Sequence, residues 1–399
     1  MKYRAYKYRI YPNEEQEVLI SKHFGCCRFI YNYALEKKIK AYQTEKRNLS
    51  RFDIQSELPS MKKSEEHGWL KEVNSQSLQA SLAYLDSAYS KFFKEKKGFP
   101  KFKSKNDNRQ SFSIPSSTKV DFENNRVFIP KFKNGIKAKL HRSFEGKIKT
   151  STITKTPTGK YFISILVEVY DPDVPMKPIS ENQAIGLDIG IKTFAILSDG
   201  IKIENPKHLR KSVKKVKRLQ RSLSRKTKES KNRNKTRLRL ASAHERVTNR
   251  RNDFLHKTTR YLVDNYDTIC LETLNVKGMV KNHHLAQALN DISIGTFNGI
   301  LEYKAKEEGV NILRIGRFEP SSRMCTCGYI NKNLTLSMRK WICPECHVEH
   351  DRDLLAANNI KRFAFRNINT AGTVEIHACG DMNGVACSAQ EAHESLARG

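Results

Sequence analysis

Apolar and polar positions alternate from the first residues: Tyr3, Tyr6, Tyr8 and Ile10 stand among Lys2, Arg4, Lys7 and Arg9. This reads as a strand with a basic face, ended by Pro12. The period then lengthens. Leu19, His23, Cys26, Ile30 and Tyr33 fall at helical spacing, and Leu78, Leu82, Leu85, Tyr89 and Phe92 repeat it, so residues 13 to 96 are expected to form a helical unit. Beyond the turn-like GFPKFKSKNDN the chain becomes β-rich, most clearly at Val127 to Ile129, Ile148 to Ile153 and Tyr161 to Val169. These strands and the first are expected to close one small barrel around the inserted helices.

Three prolines in DPDVPMKPIS cannot continue a strand, which sets a domain boundary near 171 to 182. AIGLDIGIKTFAILSDGIKI then predicts three short strands broken at Gly190 and at an Asp199-Gly200 hairpin turn. Leu209, Val213, Val216, Leu219 and Leu223 keep a helical stripe within a basic stretch, which predicts a long helical hairpin over 206 to 260. A strand ending TICLE, a helix from about 286 to 308 and the strand NILRIG follow. The last 30 residues lack periodicity and read as a loose tail.

Charge changes the picture. Lys and Arg number 73 against 42 Asp and Glu in 399 residues, a formal net charge of +31, and residues 206 to 260 hold 21 basic and 3 acidic side chains. A polyanionic partner is the expected consequence; a solvated charged face is the bland alternative for the hairpin. No apolar run approaches the roughly 20 residues of a membrane span, so no membrane partner is expected. The start lacks the apolar core of a secretory signal, which makes the cytoplasm the expected compartment.

Asp188 lies inside an apolar strand, Glu272 at the end of TICLE, and Asp353 after HDRD, just before the helical LLAANNI. Acids at the ends of separate core elements can converge, and their mutual repulsion then calls for a divalent cation. Mg²⁺ suits such a site, and two ions would activate water and stabilise a leaving 3′ oxygen in phosphodiester hydrolysis. Each acid alone also reads as a helix cap or an arginine partner, and Asp351 competes with Asp353 for either role.

Of nine cysteines, Cys325, Cys327, Cys343 and Cys346 form two close pairs separated by a fifteen-residue arm, the pattern of one tetrahedral structural Zn²⁺ site. The first pair has a one-residue spacer, and His347 or His350 is an alternative ligand. Cys26, Cys27, Cys270, Cys379 and Cys387 read as buried small hydrophobes. The module precedes Asp353 directly, so its folding is expected to position that carboxylate.

The ordered segments GLDIG (186 to 190), LETLNV (271 to 276), SSRMCTCGYIN (321 to 331) and WICPECHVEHDRDLLAANNI (341 to 360) resemble the TnpB family. These are transposon-encoded proteins similar to the nucleases of type V CRISPR systems. YRIYPNEEQ, LQASLAYLDSAYSKFF and GFPKFKSK extend the resemblance over nearly the whole chain. It implies an α/β multidomain protein. A wedge β-barrel (1–12 and 108–180) carries a helical recognition domain (13–107). A ribonuclease H-like (RuvC) nuclease (181–317 and 351–368) is interrupted by a zinc-ribbon-like target-nucleic-acid-binding insert (318–350), and a tail (369–399) follows.

The same resemblance assigns Asp188, Glu272 and Asp353 to catalysis, the second acid of DRD matching the family position. It implies a guide RNA from the transposon end and a double-stranded DNA target, held largely through backbone contacts. It points to Ser75, Gln76 and Gln79 for reading a target-adjacent motif, and Lys211, Lys214, Lys215, Arg218 and Arg221 are the expected phosphate contacts on the hairpin. Solvated polar residues on an amphipathic helix are the alternative for the first three. The implied function is an RNA-guided DNA endonuclease, expected to act as a monomer at the prokaryotic nucleoid. A repressor that binds without cutting and a transposase acting on transposon ends are the competing readings.

Overall fold

The computed structural model describes residues 1–107, 110–335 and 337–371. The chain divides into two compact units, Met1–Pro172 and Asp173–Gly399, with the break inside the proline-rich stretch. Among the described residues no helix is long and apolar enough to cross a membrane.

In the first unit the basic-aromatic strand β1 (Lys2–Tyr11) leads into α1 (Glu14–Glu45). Asn13 and Gln16 cap that helix reciprocally, each side chain accepting the other's backbone N–H. The short helices α2 (Arg51–Gln55) and α3 (Leu58–Lys63) and the longer α4 (Ser75–Glu95) complete the helical layer. Six strands follow: β2 (Gln110–Ile114), β3 (Lys119–Asp121), β4 (Arg126–Phe128), β5 (Ile136–Lys139), β6 (Lys147–Lys155) and β7 (Tyr161–Val169). With β1 they form one seven-stranded antiparallel sheet in the order β2-β6-β7-β1-β5-β4-β3. Tyr8 and Ile10 of β1 share a core with Ile163 and Ile165 of β7 and with Ile20, Leu78 and Leu82 of the helices.

The expected barrel does not close. The edge strands β2 and β3 do not pair with each other among the described residues, and the sheet is a half-barrel. Closure needs a continuous staggered register around the ring, and three-residue strands such as β3 and β4 offer little edge to extend it.

The second unit begins with β8 (Ala184–Ile189), β9 (Thr193–Leu197) and β10 (Lys202–Glu204), then the helical hairpin α5 (His208–Ser224) and α6 (Lys231–Asn265). β11 (Thr268–Glu272), α7 (Val276–Met279), α8 (His283–Ile292), α9 (Ile294–Glu308) and β12 (Asn311–Ile315) come next. A small hairpin, β13 (Lys340–Ile342) and β14 (Glu349–Asp351), runs into α10 (Arg352–Ala371). The five-stranded sheet has the order β10-β9-β8-β11-β12. The first three strands are antiparallel, whereas β8, β11 and β12 are parallel.

The single helix expected over 286 to 308 is two helices, broken at Ser293, which is left-handed at φ +56°. Ser293 keeps both ends bonded: its N–H donates to the Leu289 carbonyl, and its own carbonyl accepts from Phe297 N–H. The bend lets Leu289 and Ile292 enter the same core as Ile294 and Phe297, which one straight helix would not do. The tail residues 372–399, with Cys379 and Cys387, lie outside the described residues.

Side chains of a strand alternate between faces. Ile185, Leu187, Ile269 and Leu271 join the core beneath α6 and α9, while Cys270, Leu313 and Ile315 pack against Ile360 and Phe363 of α10. Gly186, Asp188 and Glu272 therefore belong to the α10 face.

Candidate metal centres

The carboxylate centre follows from register. β8 and β11 run parallel with Leu187 opposite Leu271, so Asp188 and Glu272 are the next neighbours, both on the α10 face. α10 supplies the third acid. It crosses β8 at Gly186, where a Cβ would lie 2.1 Å from the Ala357 carbonyl oxygen, so only glycine admits the helix this close. Asp353 lies one turn before Ala357, about 6 Å along the helix, and Asp188 lies two residues beyond Gly186, about 6.6 Å along the strand.

Electrostatics agrees with that placement. Asp188 is partly buried, and its carboxyl is pushed from 3.8 to about 7. Burial is the largest cause, followed by the charges of Glu272 and Asp353, with Arg352 and Arg339 pulling the other way. A carboxylate this reluctant to ionise beside two others is a site short of positive charge, and its donors are hard oxygens; the set fits Mg²⁺. Arg339 supplies part of the missing charge, its Nη1 donating to both Asp353 oxygens at 2.9 and 3.1 Å.

Asp351 and Asp353 separate cleanly. Asp351 Oδ1 accepts the backbone N–H groups of Asp353 and Leu354 at 3.0 and 3.2 Å, which makes it the cap of α10. Its other oxygen lies 3.7 Å from Lys202.

The thiol ligand atoms of Cys325, Cys327, Cys343 and Cys346 all lie within 4.8 Å of one another. Cys325 is 3.4 Å from Cys346 and Cys327 is 3.6 Å from Cys343, sulfur to sulfur. Tetrahedral Zn²⁺ with bonds of about 2.3 Å sets its thiolates about 3.8 Å apart, so the four fit it despite the tight first pair. His350 is not a fifth candidate ligand but a partner of one sulfur, its Nε2 lying 3.0 Å from Cys325. Burial opposes ionisation of Cys325, yet hydrogen bonds from the Cys327 backbone, His350 and Cys346 hold its thiol down to about 5. His347 instead turns the second knuckle at φ +55°, donating its N–H to the Cys343 carbonyl. Cys26, Cys27 and Cys270 are buried, and burial pushes their thiols up to about 12, 11 and 12.

Lys211, Lys214, Lys215, Arg218 and Arg221 are exposed along α5, and Val213, Val216 and Leu219 are half-buried on its other side. The root of the hairpin is pinned by Asp291 of α8. Its carboxylate accepts Leu209 N–H at 3.0 and 3.1 Å and Arg210 N–H at 3.3 Å, and sits 3.5 Å from Arg251 of α6. In the first unit, exposed Ser75 accepts a hydrogen bond from Lys62 and half-buried Gln76 accepts one from Ser116, and Gln79 is the exposed one of the two amides.

Two contributors escaped the sequence. Ser321 Oγ donates to Glu272 Oε1 at 2.5 Å, and buried Asn359 donates to the carbonyls of Ser321 and Met324 at 2.7 and 2.6 Å. A serine in a loop and an asparagine in a helix carry no periodic signal; only the pairing of strand end, loop and helix exposes them.

Known proteins resemble the chain at every level. A family profile described as "Probable transposase" (OrfB of IS605) matches residues 164–283, one described as "Helix-turn-helix domain" matches 1–47, and one described as "Cas12f1-like, TNB domain" matches 295–360. The second description does not suit the geometry, since Glu14–Glu45 is one unbroken helix after a strand. A Streptomyces pristinaespiralis protein named "Putative RNA-guided DNA endonuclease" is 37% identical over 95% of this chain and 91% of its own length. InsQ of Escherichia coli K12, named in the same words, is 31% identical over 95% and 94%. Among solved structures, a Cas12f1–sgRNA–target DNA complex shares the fold, with a TM-score of 0.53 and 13% identity over 90% of this chain and 98% of that one.

Proposed function

Because this chain belongs to the TnpB family, we propose that it is an RNA-guided DNA endonuclease. A guide RNA from the transposon end selects double-stranded DNA beside a short flanking motif, and one Mg²⁺-dependent centre of the ribonuclease H-like (RuvC) type cuts both strands. What supports this reading is that two adjacent parallel strands and a helix bring Asp188, Glu272 and Asp353 to one sheet face, with Asp188 driven up to about 7 by burial and the charges of the other two. The strand order β10-β9-β8-β11-β12 supports it, since three antiparallel strands followed by two parallel ones are what a ribonuclease H-like sheet requires.

Asp188, Glu272 and Asp353 would hold the divalent cations, with Asp351 fixing the helix that delivers Asp353. A divalent cation held there would supply an activated water and charge stabilisation for the leaving 3′ oxygen. On the carboxylates' own face of the sheet, Cys270 and Ile315 pack against Ile360 and Phe363 of α10, which keeps water from that side of the site. Cys325, Cys327, Cys343 and Cys346 would hold a structural zinc, which closes residues 318–350 as an insert contacting target DNA. The exposed basic face of α5 and its partner helix would hold RNA or heteroduplex through phosphates, and Gln79 is the better placed of the first unit's amides to reach a base edge.

The test copurifies the protein with its RNA, sequences that RNA, and supplies a plasmid library with the matching target beside random flanks. Mg²⁺-dependent cleavage beside one flanking motif is expected, and Asp188→Ala should lower it at least about a thousandfold while the RNA stays bound. Cleavage that survives Asp188→Ala would remove the proposed centre. Cutting without the guide would remove the RNA-guided part, and target binding without cutting would favour a repressor.

A further inference from the structure

Glu272 ends its strand where the chain leaves the sheet, and a carboxylate at a strand end has rotamers to choose from. One of its oxygens is nevertheless engaged by a neutral donor. Ser321 is 8% exposed, and its hydroxyl donates to Glu272 Oε1 at 2.5 Å. Nothing else among the described residues is seen to donate to Oε2, so the hydroxyl fixes which oxygen faces the centre. A cationic donor at the same point would compete with a metal ion for the carboxylate; an alcohol orients it without adding charge.

Ser321 is itself held. The turn from Pro320 to Met324 is closed by the N–H groups of Arg323 and Met324 donating to the Pro320 carbonyl. Asn359, 2% exposed, spends its amide hydrogens on the carbonyls of Ser321 and Met324. Asn359 lies on α10, the helix that carries Asp353. The helix delivering one acid thus clamps the turn that orients another, and Cys325 begins immediately after that turn.

We propose that Ser321 is a positioning residue for Glu272, locked in place by Asn359, so that two of the three carboxylates are set by a single buried clip at the root of the cysteine module. The inference rests on the nuclease reading above and adds to it the residues that prepare the metal site. Outer partners that orient a metal ligand typically contribute ten- to a hundredfold in affinity or activity.

The experiment compares wild type, Ser321→Ala, Ser321→Thr, Asn359→Asp and the Ser321→Ala/Asn359→Asp double variant. Guided cleavage is titrated with Mg²⁺, target binding is measured with Ca²⁺ in place of Mg²⁺, and Mn²⁺ affinity is measured by calorimetry on RNA-free protein with Asp188→Ala as the blank. Ser321→Ala should raise the Mg²⁺ concentration for half-maximal cleavage about tenfold and weaken Mn²⁺ binding by a similar factor, with target binding unchanged. Ser321→Thr, which keeps the hydroxyl, should stay near wild type. Asn359→Asp removes both donors without changing volume and should reproduce the alanine effect, the double variant being no worse than the stronger single one. An unchanged metal requirement in Ser321→Ala, a threonine variant as weak as alanine, or target binding that falls with cleavage would each overturn the inference. Should wild type fail to cut, the nuclease reading fails, and the Mn²⁺ affinities still decide this one.

Discussion

The four cysteines come from residues 325 to 346 and meet through two short knuckles, whereas the three carboxylates are drawn from residues 188 to 353 and come to one sheet face only because two strands pair in register and one helix crosses them. The first site is written locally and becomes cohesive when a cation arrives; ligands this close have little other reason to assemble. The second is imposed by the frame around it, which holds three acids together against their repulsion. Metal is expected to complete the fold of the one and relieve the strain of the other. That difference can be broken experimentally at several points.

The largest effect is expected from Cys343→Ser. Bound zinc should fall to background, and hydrogen exchange should lose protection over residues 321 to 351 while amides of β8 and β11 stay protected. Loss of protection in both sheet strands would contradict a self-contained module. Next comes Gly186→Ala, which drives a methyl into the Ala357 carbonyl. Overpacking of this kind costs about 1–3 kcal/mol, and cleavage should fall because Asp353 moves with α10; zinc content should not change.

A smaller effect comes from pH. The folded protein holds the Asp188 proton up to about 7 against an ordinary 3.8, so between those values the native state binds more protons and stability falls as pH rises. Asp188→Asn should therefore raise the melting temperature of the Mg²⁺-free protein, more at pH 8 than at pH 5, and excess Mg²⁺ should narrow the gap. An equal gain at both pH values would exclude a charge origin. Asp351→Ala is the mildest change. Losing the cap should cost about 1 kcal/mol, read as a shifted unfolding midpoint, with most cleavage retained. Abolished cleavage with full stability would return Asp351 to the list of metal ligands.

The sequence's legibility follows the same division. The spacing of the cysteines names their site without any fold. For the acids, apolar strands around Asp188 and before Glu272 announce buried carboxylates, but nothing in the periodicity says that Leu187 stands opposite Leu271. Asp351 and Asp353 flank the same Arg352 at the start of one helix, and only the direction of the α10 N–H groups tells cap from candidate ligand. The break at Ser293 is invisible because the apolar spacing continues through it. The open half-barrel was likewise beyond reach, since closure depends on whether edge strands meet, a property of the sheet and not of any strand. Ser321 and Asn359 required three distant segments to be seen together.

Asp291 closes the root of the basic hairpin. At the root, one carboxylate holds the start of α5 and reaches Arg251 of α6. Leu209, at that root, is the one residue α5 buries, while like charges line both legs. At the tip the connecting turn and Arg233, which donates to the Leu223 and Lys226 carbonyls, fasten the legs again, so their like charges face one another along the span between, where salt or a polyanion relieves the repulsion. Occupation of that surface and relief of its repulsion are then one thermodynamic event, so a polyanion laid along the hairpin is expected to steady it as it binds.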